Sequence, residues 1–168
     1  MQNIIFIHGL ESSGKGFKGR LLRKVIPEIV SPDFKEFDPS LNIYDLLEIR
    51  MRELNMILSE KKPWILIGSS FGGLMASIYT LNNPNIVSKL ILLAPFIVSR
   101  KLKVNRYKPV EVPVIVYHGK YDRTVPYKPA KERAQQLFAN LEYRIVDDDH
   151  FLHNTVSSID WQKIIQIT

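Results

Sequence analysis

Short runs of apolar, mostly β-branched residues alternate along the chain with longer segments whose apolar residues recur at helical spacing. Runs of the first kind predict β-strands, and segments of the second kind predict amphipathic α-helices. Clear strands are predicted at 3–7, 64–67, 89–93, 112–117 and 142–146, with a weaker one within 29–37 that Pro32 interrupts. Helices are predicted at 41–61, 72–82, 129–139 and 155–167.

Several of the predicted strands are apolar on both faces, as in Ile-Leu-Ile at 65–67 and Leu-Ile-Leu-Leu at 90–93. Strands of a parallel sheet that helices cover on both sides have this character. The pattern therefore predicts an α/β protein whose mostly parallel sheet is the middle layer of a three-layer sandwich. No repeat, low-complexity tract or linker interrupts the 168 residues, so we expect a single domain over 1–168.

The composition narrows the possible chemistry. With 45% hydrophobic and 24% charged residues the chain is of the ordinary globular type. It contains no cysteine, which excludes disulfides, thiolate metal sites and a cysteine nucleophile. The apolar run Ile4–Ile7 near the start is too short for a signal peptide or a membrane-spanning helix, so we expect a cytoplasmic protein without membrane insertion.

A candidate nucleophile follows the strand predicted at 64–67. That strand runs into Gly68-Ser69-Ser70-Phe71-Gly72, a G-x-S-x-G motif between a strand and a helix. Side chains two positions before and after the central serine would collide with the neighbouring strand and helix, and glycine at 68 and 72 removes that collision. The sharp turn strains the backbone of Ser70 and lifts its hydroxyl to a helix N-terminus. The alternative is a glycine-rich turn in which a serine, more simply Ser69, caps the helix.

An aspartate and a histidine follow later strands. Asp122 comes just after the strand at 112–117, where its carboxylate can accept the Nδ1 hydrogen of a histidine. The alternative role for Asp122 is turn formation. His150 follows the strand at 142–146 and is the candidate general base, with His153 as a weaker candidate.

A serine nucleophile also needs two N–H donors aimed at the oxyanion that forms during attack. One comes from the residue after the nucleophile, here Phe71. The second comes from the loop after an adjacent strand, and Leu10, which follows the strand at 3–7, is the natural candidate. Gly9 lets this loop turn inward, and we expect His8 to brace the loop rather than to transfer protons.

These motifs resemble the α/β-hydrolase superfamily and, within it, the short single-domain bacterial serine esterases. The resemblance covers essentially the whole chain through four ordered motifs: His8-Gly9, Gly68-x-Ser70-x-Gly72, His118-Gly119-x-x-Asp122-x-x-Val125-Pro126 and Asp149-His150. It implies that Ser70, Asp122 and His150 form a catalytic triad. It further implies that Leu10 and Phe71 donate to the oxyanion, and that carboxylic esters or thioesters are cleaved through an acyl-enzyme without a cofactor or a metal.

Two features depart from the larger members of that superfamily. The chain starts at the strand that carries His-Gly, so we expect it to lack the antiparallel hairpin that opens larger members. Only 18 residues, 95–112, occupy the place where many members insert a cap domain. We therefore expect a minimal α/β-hydrolase fold without a cap.

The loop Gly9–Gly19 supports a competing nucleotide-binding hypothesis. Its first half nearly matches a phosphate-binding P-loop, but Gly16 stands where that motif has a serine or threonine. Its second half, from Gly14, spells G-x-G-x-x-G, with Asp38 nineteen residues further on as a ribose ligand. In the dinucleotide fold the first glycine follows the strand at once, whereas Gly14 comes six residues after His8.

Two further hypotheses place the chain in different functional classes. Asp147, Asp149, His150 and His153 together offer carboxylate and imidazole ligands for a metal ion. The chain could also be a non-catalytic binding module that keeps the hydrolase fold. A surface acidic turn explains the aspartates more simply than a metal site does.

Positive charge is concentrated in two stretches. The chain has 23 basic and 17 acidic residues, a net charge of +6, and residues 15–24 and 100–108 carry five basic residues each and no acidic one. The topology predicts both stretches at the rim around Ser70, where Arg100, Lys101 and Lys103 would bind an anionic part of the acyl ester or thioester. The alternative is solvated surface. We expect no nucleic-acid partner, and the sequence does not predict the oligomeric state.

Overall fold

Parallel strands in sequential order form the centre of the molecule in a computed structural model, which describes residues 2–60 and 62–167. The strands are β1 (Asn3–Ile7), β2 (Trp64–Ser69), β3 (Val87–Leu93), β4 (Val114–Gly119) and β5 (Leu141–Val146). The order across the sheet is β1-β2-β3-β4-β5, and every neighbouring pair is parallel. All five carboxyl ends therefore meet at one edge.

Helices cover both faces of this sheet. They are α1 (Phe17–Val25), α2 (Ile43–Leu58), α3 (Phe71–Asn82), α4 (Tyr127–Leu137), α5 (His153–Ser158) and α6 (Trp161–Ile164), with 3₁₀ turns at Pro84–Ile86 and Val104–Arg106. Buried side chains of α2, α3 and α4 share one apolar cluster, and those of α1, α5 and α6 share the other. This confirms the three-layer α/β sandwich, and none of the helices within the described ranges is both long and apolar enough to span a membrane.

The central strands explain why the sheet is buried on both faces. Every residue of β2 is buried, and successive side chains alternate between the two clusters, with Leu66 in the α3 cluster and Ile65 and Ile67 in the α1 cluster. In β3 the alternation repeats, with Leu90 and Ile91 on opposite faces. Strands that are apolar on both faces thus stabilise both helix layers at once.

The weaker predicted strand at 29–37 is reduced to one parallel bridge between Ile5 and Val30. The Phe6 N–H donates to Val30 O at 2.8 Å, and the Val30 N–H donates to Ile4 O at 2.9 Å. Pro32 has no N–H to continue this ladder, which accounts for the interruption that the sequence indicated. The bridge lies at the outer edge of β1.

Two helical segments differ from the prediction. Helix α1 was not predicted, because its nine residues lie in the basic, glycine-containing stretch and few of them are buried. The helix predicted at 155–167 is two short helices, α5 and α6. Asp160 caps the start of the second helix by accepting the Lys163 N–H at 3.2 Å. Trp161, the first residue of that helix, is buried in the core.

Tight backbone packing, rather than phosphate binding, accounts for the glycines of the Gly9–Gly19 loop. A Cβ at Gly14 would lie 2.3 Å from Ser31 O, and one at Gly19 would lie 2.0 Å from Gly14 O. The Gly14 N–H donates to the Asp33 carboxylate at 2.8 Å, so a negative group already occupies the place that a phosphate would need. These contacts hold the start of α1 against residues 31–33 and contradict the nucleotide-binding hypothesis.

The connection from β3 to β4 contains no cap domain in residues 94–113, all of which the structure describes, and its one regular element is the 3₁₀ turn Val104–Arg106. This agrees with the minimal fold expected from the short connection. The carboxyl edge of the sheet is therefore left uncovered by any inserted subdomain.

Replacing Gly19 by alanine should destabilise the protein by about 1–3 kcal/mol, because the added methyl group collides with backbone that cannot move independently. Gly9→Ala is the matched control, since its Cβ would meet Ser69 O and Ser70 Cβ at an ordinary 3.6 Å. Urea unfolding monitored by circular dichroism measures both variants. Equal midpoints for Gly19→Ala and the parent would contradict this account of the loop.

Candidate active site

The backbone between β2 and α3 holds Ser70 in a strained conformation, with φ 53° and ψ −113°. Such a conformation is unusual for a residue with a side chain and persists only where its surroundings fix it. Here the Ser70 N–H donates to Leu93 O at 2.9 Å, and its carbonyl accepts the Phe96 N–H at 2.9 Å. This backbone conformation presents the Ser70 side chain to the cleft described below.

Two glycines make this turn sterically possible. A Cβ at Gly72 would lie 2.0 Å from Ile7 O, and one at Gly68 would lie 2.6 Å from Gly72 O. No side chain fits at either position without moving backbone. The spacing of the G-x-S-x-G motif therefore has the steric cause inferred from the sequence.

The structure brings Ser70, His150 and Asp122 together. Ser70 Oγ lies 3.0 Å from His150 Nε2, and His150 Nδ1 lies 2.7 Å from Asp122 Oδ2. Since an ionised carboxylate only accepts, the His150 Nδ1–H donates to Asp122 and leaves Nε2 free to accept the serine hydroxyl. The Asp122 side chain is fully buried and that of His150 is 14% exposed. This is the arrangement that activates a serine for nucleophilic attack.

Both carboxylate oxygens of Asp122 are used. Its Oδ1 accepts the N–H groups of Thr124 at 2.9 Å and Val125 at 2.7 Å, while Oδ2 faces His150 and His118. Burial alone would raise the pKa of this carboxyl, but hydrogen bonds from His118, His150 and the Val125 N–H hold the pKa well below its usual range. Asp122 is therefore a fixed negative charge behind His150.

His118 is a buried participant whose contacts the sequence did not predict. Its single Nε2–H is shared between Val125 O at 2.8 Å and Asp122 Oδ2 at 3.2 Å. Its Nδ1 then accepts the Tyr143 hydroxyl at 2.5 Å. Burial and the nearby Asp122 raise the pKa of Tyr143, so that the hydroxyl keeps its proton and fixes this tautomer. The sequence signal was a histidine directly before Gly119, in the motif that contains Asp122.

The two predicted oxyanion donors lie beside Ser70. Leu10 and Phe71 both line the cleft that contains the serine, and a Cβ on Gly9 would lie 3.6 Å from Ser70 Cβ. Within the part of the chain that the structure describes, no hydrogen bond uses the N–H of Leu10 or of Phe71. Both groups are thus available to an oxygen bound next to Ser70 Oγ.

His8 braces this loop, as expected. Its Nδ1–H donates to Gly9 O at 2.7 Å, and its Nε2 accepts the Phe34 N–H at 3.0 Å. Burial lowers the pKa of His8, which favours the neutral ring that can donate at one nitrogen and accept at the other. A second brace was missed in the sequence: buried Arg50 on α2 donates to the carbonyls of Gly9 and Leu10.

The cleft around Ser70 has a volume of about 560 Å³. Its walls are largely apolar, and three aromatic side chains lie at its mouth. The ring centroids of Phe17 and His153 are 4.1 Å apart, and Phe151 is 61% exposed. The side chains that form the walls and mouth include Leu10, Ile43, Phe71, Phe96, Phe17, Phe151 and His153. His153 belongs to this mouth and not to the hydrogen-bonded triad.

Arg100, Lys101 and Lys103 do not lie in this cleft, contrary to the expected positive rim. Arg100 and Lys103 line a separate shallow groove, and Lys101 Nζ lies 5.1 Å above the Tyr44 ring. The cause is the path of the connection after β3, which Arg133 fixes against α4 by donating to the carbonyls of residues 97, 99 and 102. Lys18 of α1, by contrast, lines the cleft.

The candidate metal ligands are occupied otherwise. Among residues 2–60 and 62–167, no cluster of three or more histidine or acidic side chains is arranged to hold a metal ion. Asp149 accepts the Phe151 N–H at 2.9 Å, and His150 is bound between Ser70 and Asp122. The acidic residues after β5 thus shape the turn that presents His150.

Comparison with known proteins agrees with this fold. A family model described as uncharacterised protein family UPF0227 matches residues 3–101. A putative hydrolase of the α/β superfamily from Xanthomonas campestris pv. campestris is 27% identical, with a TM-score of 0.77 over 94% of this chain and 93% of that one. No curated protein matches the chain.

More distant solved structures share the fold. A putative hydrolase from Agrobacterium vitis S4 is 20% identical, with a TM-score of 0.77 over 99% of this chain and 88% of that one. The alpha/beta hydrolase domain-containing protein 10 from mouse is 19% identical, with a TM-score of 0.75 over 96% and 89% of the two chains. The predicted resemblance to small α/β hydrolases is confirmed.

A fluorophosphonate probe, which reacts with activated serines, should label Ser70 covalently and should not label Ser70→Ala. His150→Ala should slow labelling by at least about 10³-fold, because the base that accepts the hydroxyl proton is lost. His153→Ala is the matched control and should change the rate only a few-fold. Mass spectrometry of the labelled peptide identifies the site, and equal losses in the two histidine variants would contradict the assignment of His150.

Proposed function

The chain belongs to the UPF0227 family, and from its α/β-hydrolase fold we propose that it is a serine hydrolase that cleaves carboxylic esters or thioesters through an acyl-enzyme. The observation that carries this proposal is the unbroken hydrogen-bonded path from Ser70 Oγ through His150 to Asp122. In this proposal Ser70 is the nucleophile, His150 the general base and Asp122 the acid that orients the base.

Acylation begins with Ser70 Oγ attacking the acyl carbon while its proton passes to His150 Nε2. Asp122 stabilises the imidazolium that results, because its carboxylate accepts the Nδ1–H at 2.7 Å. The carbonyl oxygen gains negative charge, and the N–H groups of Leu10 and Phe71 stabilise it. Collapse of the tetrahedral intermediate breaks the bond to the leaving alcohol or thiol, which takes the proton from His150.

Deacylation repeats these steps with water. His150 Nε2, again neutral, takes a proton from a water molecule that attacks the acyl carbon. The bond between the acyl carbon and Ser70 Oγ then breaks, His150 returns the proton to Oγ, and the carboxylic acid is released. Every step uses side chains and backbone groups of this chain.

The form of the cleft favours small or aromatic acyl groups. Its walls are largely apolar, its mouth carries exposed aromatic rings, and no cap domain in residues 94–113 covers it. An open cleft of this size admits short soluble esters without the rearrangement of a lid. Phe151 and Phe17 provide flat surfaces for an aryl or planar acyl group beside His150.

Asp122→Asn should lower kcat by about 10⁴-fold with little effect on stability, because an amide can hold the His150 ring in the tautomer that cannot accept the serine proton. Hydrolysis of a panel of short p-nitrophenyl esters and acyl thioesters measures this loss, with Ser70→Ala as the inactive control and thermal unfolding as the check on folding. Ordinary activity in Asp122→Asn would move the acid to another residue, with Asp147, Asp148 and Asp149 the nearest candidates in the chain.

An anionic substrate is a further part of this proposal, and Lys18 rather than the 100–108 stretch is the residue that would bind it. Lys18 lines the cleft, and no described carboxylate lies within ion-pair distance of its ammonium group. Burial lowers the pKa of Lys18, and the nearby carboxylates of Asp149 and Asp148 offset only part of that shift. A carboxylate or phosphate on the substrate could therefore pair with this ammonium.

Lys18→Met should lower kcat/KM for an anionic ester relative to a neutral ester of equal acyl length by about five-fold, since one charge-assisted hydrogen bond at a partly buried site is lost. High salt should reduce the same ratio in the parent. Arg100→Ala/Lys101→Ala/Lys103→Ala is the matched control and should leave the ratio unchanged. If neither high salt nor Lys18→Met changes the ratio of kcat/KM for the anionic ester to that for the neutral ester, the charge of the cleft plays no part in substrate choice.

A further inference from the structure

Arg50 is a charged residue in the middle of a buried helix stripe. In α2 it stands four residues from Leu46 and from Leu54, on the face that packs against the core, and its exposed fraction is 0%. No carboxylate among the described residues lies within ion-pair distance of it. Burying an unpaired guanidinium is costly unless its donors are all used, so its partners are informative.

Two of its three partners are carbonyls of Gly9 and Leu10, in the loop after β1 that carries the predicted oxyanion donor. Arg50 Nη2 donates to Leu10 O at 2.8 Å, and Nη1 donates to Gly9 O at 3.2 Å. Nε donates to Lys35 O at 2.8 Å, which anchors the other side of the guanidinium. The same group lies 5.4 Å from the centre of the Phe71 ring, the residue that supplies the second predicted donor.

Peptide geometry links these contacts to the cleft. The Gly9 carbonyl and the Leu10 N–H belong to one trans peptide plane and point in opposite directions. Because Arg50 and His8 both hold the Gly9 oxygen, the Leu10 N–H points in the opposite direction within that plane, away from Arg50. A positive charge on the carbonyl also polarises the peptide and makes its N–H a stronger donor.

We propose that Arg50 is the positioning residue of the oxyanion hole: it fixes the Gly9–Leu10 peptide with the Leu10 N–H toward the acyl oxygen and places a buried positive charge behind that peptide. This inference rests on the proposed ester hydrolysis, and it adds a residue that holds no position in the triad. Its chemical consequence is specific, since it affects the developing oxyanion rather than the nucleophile or the base.

A pair of substrates isolates that consequence. An ester and the thionoester of the same acid and alcohol differ in the atom that receives the negative charge, and sulfur is a much poorer acceptor than oxygen for backbone N–H groups. The ratio of kcat/KM for the two therefore reports donation in the oxyanion hole. Titrating active sites with a fluorophosphonate normalises each preparation, so that misfolded protein does not change the ratio.

Arg50→Met, which keeps length and apolar packing but removes every donor, should lower the oxo-to-thiono ratio about ten-fold, by misaligning one donor without removing it. Arg133→Met is the matched control: Arg133 also fixes a loop through three carbonyls, those of Ile97, Ser99 and Leu102, but away from the oxyanion loop. It should lose stability and keep the parental ratio per titrated site.

The outcomes separate the possible failures. A parental ratio in Arg50→Met would overturn the inference and leave Arg50 as a structural clamp. If that variant does not fold, Arg50→Lys decides, because one ammonium cannot hold the carbonyls of Gly9, Leu10 and Lys35 together and the ratio should still fall; an unchanged ratio there would overturn it equally. A parent enzyme that hydrolyses neither ester would refute the proposed function and this inference with it.

Discussion

The site depends on one steric constraint, the close approach of the first turn of α3 to the carboxyl end of β1. At Gly72 the backbone of the helix passes so near to Ile7 O that a Cβ would lie 2.0 Å from it. This approach sets the loop after β1 directly beside the turn after β2, where Ser70 has its positive φ. A larger residue at 72 would separate the two loops, and Ser70 would no longer lie beside the loop that carries the Leu10 N–H.

Four buried polar side chains around the site are satisfied largely by backbone. His8, Arg50, His118 and Asp122 are all buried, and each hydrogen-bonds to main-chain groups of the loops that carry the site. Backbone partners suit this purpose, because they fix a loop as well as the side chain and so offset the cost of burial.

The sequence predicted the parts of this arrangement that local pattern controls. Strands that are apolar on both faces predicted the parallel sheet, and the spacing of Gly68 and Gly72 predicted the sharp turn at Ser70. Contacts distant in sequence were not predictable. Helical periodicity is defined by apolar positions and therefore assigns no role to Arg50. A charged residue within an apolar helical stripe is nevertheless a signal that can be recognised. The path of the 100–108 stretch depends on a hydrogen bond from Arg133 to Leu102 O, 31 residues away in the sequence. The number of basic residues in a loop does not predict the direction in which the loop folds.

The charges of the site have a polarity that fits the proposed reaction. Asp122 lies on one side of Ser70, behind His150, and Arg50 lies on the other, behind the Gly9–Leu10 peptide. Acyl transfer creates a positive imidazolium and a negative oxyanion together, and in this arrangement each forms next to a buried group of opposite sign. Because both buried charges are held by fixed backbone, neither has to reorganise as the new charges appear. The electrostatic contribution to the proposed reaction is therefore local and does not require a positive field over the whole surface.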